Sequence, residues 1–138
     1  MANSRLCPRV RAFLEEPRVA SLATINPDGS PQQTVMWYVL DGDRVMMNTA
    51  RGRIKDRNLA RDPRASICIE DGYRFVTIQG RATLIADQER AQADIAALAT
   101  RYHGQARAEE MVREQFSKQE RVTIYLSIEK VVAHGFDE

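Results

Sequence analysis

The chain has 138 residues, enough for one domain over 1–138 with a real core, since about two-thirds of the unfolded surface of such a chain leaves water on folding. Its 20 Lys and Arg stand against 19 Asp and Glu, a formal charge of +1, which speaks against the broad basic surface of a general nucleic-acid binder. Two cysteines without a CxxC motif, no apolar leader and no uncharged run near the ~20 residues of a membrane span point to a soluble protein of a reducing cytosol.

Arg5 to Glu15 carries Val10, Phe13 and Leu14 at helical spacing, with Ser4 placed to cap a helix and Pro17 to end it. Val19 to Ile25 is β-compatible and runs into Asn26-Pro27-Asp28-Gly29, a turn signal, and Pro31 to Leu40 returns as a second strand, so the pair reads as a hairpin. Along that second strand Val35, Trp37 and Val39 share one face and Met36, Tyr38 and Leu40 the other. An apolar pattern on both faces predicts cover on both sides, the second from a partner subunit or a ligand.

Arg44 to Thr49 reads as a third strand, followed by a basic loop and a short helix over Arg53 to Arg61. Arg64 to Ile69 is a fourth strand, with Cys68 expected in the core. Phe75 to Ile85 is a long fifth strand, and Gly80 inside it marks a bulge or a close backbone approach. Asp87 caps a helix that runs to Tyr102 and ends at Gly104; Ala106 to Phe116 is the next helix, and Val122, Ile124, Leu126 and Ile128 alternate along a sixth strand. Six strands with short helices at their connections predict an α+β fold, a small antiparallel barrel.

The chemical signal is concentrated between Thr49 and Pro63. Arg51, Arg53, Lys55, Arg57 and Arg61 face only Asp56 and Asp62 there, and Gly52 sits between a strand end and a helix start. Backbone N–H groups at a helix start and guanidinium forks both favour an anion such as phosphate. The same residues also fit a solvated Arg-rich helix face. His103 and His134 lack partners at metal-ligand spacing, and no serine lies in a GxSxG context. A phosphate site without a catalytic constellation belongs to a binder, or to an enzyme whose cofactor carries the chemistry. Trp37 and Tyr38 read either as core or interface aromatics or as a flat wall beside a ring system.

The segments ASLATINPDGSPQQTVMWY, MNTARGRIKDRNLARDPRASI, IQGRATLI, TRYHG and RVTIYLSIEKVVAHG, in this order, resemble the split-barrel superfamily of pyridoxamine 5′-phosphate oxidase, and within it the branch that uses the deazaflavin coenzyme F420. The resemblance runs from Phe13 to His134 and implies a six-stranded antiparallel split barrel, the FMN-binding split barrel, with short flanking helices. It also implies a homodimer with cofactor sites at the subunit interface and hydride transfer to a small organic substrate. Position by position, Arg53 and Lys55 match the pair that holds the cofactor phosphate. Thr49 lines the same site, and Asn58 lies near it. Val35, Met36, Met47 and Asn48 match positions beside the ring, while Tyr73 and Phe75 match positions reaching in from the second subunit. Flavin-using members often carry an Arg where this chain has Thr34, which favours F420 over FMN. An FMN-binding oxidoreductase and a non-enzymatic cofactor or haem carrier are the alternatives. The basic stretch lacks the interleaved aromatics of a nucleic-acid stacking platform, and no apolar run is long enough to span a membrane, so neither nucleic acid nor membrane is expected as a partner.

Overall fold

The computed structural model describes residues 6–136 and places four helices and eight strands along them. Helix α1 (Pro8–Glu15) starts on Pro8 with Cys7 at its N-cap, a place where a fixed φ and a missing N–H cost nothing. Ser4, the expected cap, lies outside the described residues. Strands β1 (Ala20–Ile25) and β2 (Pro31–Met36) form the expected hairpin. Asp28 closes its turn by accepting from the Ser30 N–H and hydroxyl, while Gly29 takes a φ of 88°.

β3 (Val39–Asp41), β4 (Arg44–Ala50), α2 (Ile54–Arg61), β5 (Arg64–Asp71) and β6 (Arg74–Ile85) follow. Next come α3 (Gln88–His103), α4 (Gln105–Glu114), a 3-10 turn over Phe116–Lys118, β7 (Arg121–Ser127) and β8 (Lys130–His134). Asp87 caps α3 as its sequence predicts, accepting from the Arg90 N–H. Among the described residues no helix is long and apolar enough to cross a membrane.

The strands form one antiparallel sheet in the order β2-β1-β5-β6-β7-β4-β3, with β8 also on β6. The long β6 changes partner along its length: Phe75–Gln79 pairs with β8 and Ala82–Ile85 with β7. That change rolls the sheet into an α+β split barrel. The barrel core is filled by Leu22, Val45, Met47, Ile67, Ile78 and Leu126 with their neighbours. A second apolar layer, including Met46, Ile95, Leu98 and Tyr125, lies between α3 and the outer face of β4 and β7. β7 is therefore buried on both faces, although its sequence shows apolar alternation on only one.

The strand count is eight rather than the expected six. The expected strand over Pro31–Leu40 breaks at Trp37 and Tyr38, where side chains of α3 take over the backbone bonds. The Tyr38 N–H donates to the Tyr102 hydroxyl, and the Tyr38 carbonyl accepts from Arg101 Nε at 2.9 Å and from the Tyr102 hydroxyl at 3.0 Å. β8 adds the other strand. Cys68 is half-buried rather than a core residue, because the alternation of β5 sends Ile67 and Ile69 inward and Cys68 outward.

Tyr38 also locks the break to α1, its hydroxyl donating to the Leu14 carbonyl at 2.8 Å. Burial pushes its phenol up from 10.0 to about 12. The neutral form is the one favoured by folding, so this stabilisation is complete below pH ~10 and is lost as pH rises toward ~12, amounting to about 2–3 kcal/mol. Urea unfolding of wild type and Tyr38→Phe across that window should show the alkaline loss in wild type and its absence in the variant. An equal loss in both would assign it to another group.

Candidate functional site

β4 ends at Ala50, directly opposite Arg121 at the start of β7. The chain then turns through Arg51 and Gly52, whose φ is 90°. The Gly52 N–H donates to Asp56 Oδ2 at 2.7 Å, so the third residue of α2 reaches back and fixes the loop before the helix. Arg53 is the N-cap of α2, and no side chain caps the helix there. Its first-turn N–H groups are therefore open to an external anion.

Beside this helix start lies a cavity of about 220 Å³. Arg53, Lys55 and Arg121 line it together with Asn48 and Thr49, and among the described residues no carboxylate does. Lys55 is 8% exposed and Arg121 is 4% exposed. Burial holds the Lys55 ammonium below its usual pKa, and Arg53 and Arg121 push it further down. Burial, then Arg53, brings the Arg121 guanidinium down to about 10. Among the described residues the guanidinium of Arg121 is anchored on neutral acceptors, Asn48 Oδ1 at 3.0 Å and Gln119 Oε1 at 2.5 Å. The three cations are thus held close together without a neutralising acid in the cavity wall. Thr49 also lines the cavity, and its Oγ1 is buried without a hydrogen-bond partner among the described residues.

The other wall is apolar. Val19, Val35, Met36 and Trp37 form the rim, with Ile95, Leu98 and Phe116 behind. Trp37 stacks on Tyr102 with ring centroids 5.4 Å apart and meets Phe116 edge-on, so its plane is fixed. Among the described residues, no His, Cys, Tyr, Asp or Glu lines the cavity. Its residues can therefore bind an anion and flank a ring.

Of the ten residues expected at a cofactor site, Val35, Met36, Asn48, Thr49, Arg53 and Lys55 line this one cavity. Met47 and Asn58 do not. Met47 is fully buried in the barrel core, because strand alternation turns it away from the face that carries Asn48. Asn58 Nδ2 donates to Thr24 Oγ1 and Asn26 Oδ1, both at 3.0 Å, and so ties α2 to β1. Tyr73 and Phe75 lie on β6 and the turn before it; Tyr73 is 77% exposed, and Phe75 stacks on His134. Arg121, Ile95, Leu98, Gln115 and Phe116 were not expected from the sequence. For Arg121 the one local signal is a cation at the edge of a strongly apolar strand.

The family model for pyridoxamine 5′-phosphate oxidase matches residues 6–135. The chain belongs to this family. Among solved structures, a conserved hypothetical protein from Mycobacterium tuberculosis is 28% identical, covering 96% of this chain and 87% of its own, with a TM-score of 0.79. A protein named F420 reductase is 25% identical over 88% of this chain and 94% of its own, with a TM-score of 0.71. The haem storage protein HutZ from Vibrio cholerae shares the fold at 21% identity and a TM-score of 0.71, covering 96% of both chains. The unneutralised cations and the unpartnered Thr49 hydroxyl fit the phosphate of the flavin-type cofactors bound in this family.

Proposed function

We propose that this family member is an oxidoreductase that uses F420 to reduce a small organic substrate at the interface of a homodimer. The observation that carries the reading is the convergence of Arg53, Lys55 and Arg121 on a cavity with no acid in its wall. When bound, the deazaflavin supplies the hydride chemistry. In this reading Arg53, Lys55, Arg121 and the Thr49 hydroxyl hold the phosphate. Val35, Met36 and Trp37 flank the ring and keep water from that side, while Met47 and Asn58 support the site from behind. Arg51 and Arg57, exposed around the start of α2, meet the anionic tail that distinguishes F420 from FMN. The likeness to the protein named F420 reductase supports this choice.

An FMN-dependent enzyme would use the same phosphate contacts without the tail. Titration of both cofactors at two salt concentrations separates the readings. F420 should bind more tightly at low salt, and salt should narrow the gap, because exposed pairs are screened over roughly 10 Å at 0.1 M. Glutamine at Arg51 and Arg57 should narrow it as well. A preference for FMN that persists at low salt would make FMN the cofactor.

The homodimer is supported by one face of the sheet. Register places Val35, Ser21, Cys68, Thr77 and Val132 in a single row across β2, β1, β5, β6 and β8. That row is uncharged, and Val35 and Val132 are 70% and 47% exposed. Val35 also belongs to the cavity rim, so a second copy on this face would adjoin the site and could bring Tyr73 and Phe75 to it. Light scattering at micromolar concentration should give a dimer, with an interface of the usual ~1,600 Å² or more. A monomer would sink the composite site.

A further inference from the structure

Behind the cavity, a chain of hydrogen bonds leads from Arg121 to the face of α3 that packs on β4 and β7. Arg121 Nε donates to Asn48 Oδ1 at 3.0 Å. Asn48 Nδ2 donates to Thr123 Oγ1 at 3.2 Å and to the Ala91 carbonyl at 3.0 Å. The Thr123 hydroxyl donates to Asp94 Oδ2 at 2.7 Å, and Arg90 pairs with the same oxygen at 3.3 Å. Asn48 and Thr123 stand directly opposite each other on β4 and β7, and α3 carries Ala91 and Asp94 across them.

The donor and acceptor chemistry gives this chain one direction. A guanidinium only donates and a carboxylate only accepts. Asn48 must turn its oxygen to Arg121, so its amine must find acceptors in Ala91 and Thr123. Thr123, accepting from Asn48, then sends its single proton to Asp94. Asn48, Thr123 and Arg121 are all buried, where a reversed amide would set an N–H against a cation in a medium of low dielectric.

We infer that Thr123 and Asp94 are positioning residues for the anion site: through Asn48 they fix the guanidinium of Arg121 at the cavity. The inference rests on reading that cavity as a phosphate site. Gln119 and Gln88 also hold Arg121, through its side chain and its backbone N–H, so loss of the chain weakens the contact without abolishing it.

The test uses cofactor pairs that differ in the phosphate: FMN against riboflavin, and F420 against the deazaflavin riboside that lacks phosphate and tail. Thr123→Val should weaken the phosphate-bearing member of whichever pair binds by about fivefold, the worth of one neutral hydrogen bond, and leave the phosphate-free member unchanged. Thr123→Ser, which keeps the hydroxyl, should bind like wild type. Asp94→Ala should act in the same direction as Thr123→Val. Its partly exposed site tolerates truncation, so it decides the matter alone if Thr123→Val does not fold. Equal losses for both members of a pair, or none, would overturn the inference. Lys55→Ala separates the two levels: if it weakens the phosphate-bearing cofactor and Thr123→Val does not, only the inference falls. If neither does, or no phosphate-bearing cofactor binds, the phosphate reading falls and the inference with it.

Discussion

Lys55→Met should weaken binding of a phosphate-bearing cofactor by roughly 10- to 150-fold while leaving the ligand-free protein as stable as wild type or more so. The first effect follows from losing a charge-assisted hydrogen bond, worth about 1.5–3 kcal/mol. The second follows from the surroundings. Lys55 is buried, and Arg53 and Arg121 oppose its charge, so in the ligand-free protein the ammonium is held at a cost. Methionine keeps the apolar stem and removes that repulsion. Opposite signs for affinity and stability are what an anion site predicts, whereas a purely structural lysine would lower both together. Calorimetric titration with F420 and with FMN, beside thermal unfolding of the free proteins, gives both numbers. An unchanged affinity would return the basic loop to the status of a solvated helix face. Arg53→Ala should weaken binding in the same sense. Arg61→Ala should do so less, because Arg61 donates to the Ile25 carbonyl and does not line the cavity.

Gly80→Ala should destabilise the fold by about 3 kcal/mol, near the upper end for inserting a methyl into a packed site, and lower the midpoint by roughly 10 °C. Gly80 stands where β6 leaves β8 for β7. A Cβ built there would lie 1.8 Å from the Ser127 carbonyl oxygen and 2.7 Å from its carbon. These are backbone atoms, and they cannot swing aside as the end of a side chain can. Ser127 is fixed as well, since its hydroxyl accepts from the Arg81 N–H at 2.9 Å and donates to Glu129 at 2.8 Å. The corner can admit a methyl only by parting two strands. Thermal and urea unfolding of the variant measure the cost, and a midpoint within a degree or two of wild type would show that the corner yields.

The features legible in the sequence were those set by neighbours along the chain. The turn at Asp28 and Gly29, the Asp87 cap and the helix after it follow from local hydrogen bonding and spacing. The basic segment from Arg51 to Arg61 and the close approach at Gly80 could also be read there, because one residue type suffices to signal each. The break at Trp37 and Tyr38 could not, because it is made by Arg101 and Tyr102 from the far end of α3. Met47 and Asn48 were expected at the same ring, yet alternation along β4 sends Met47 into the barrel core and Asn48 toward α3. Arg121 stayed hidden as a site residue for a similar reason. It reaches Asn48 across 73 residues of chain, and only the pairing of β4 with β7 puts it beside Lys55. The sequence by itself thus determined the turns, caps and cationic loop, since backbone geometry and local charge depend on nearby residues. The tertiary structure alone decided which cations meet in one cavity and which way the asparagine between them points, because strand register joins residues that the chain keeps far apart.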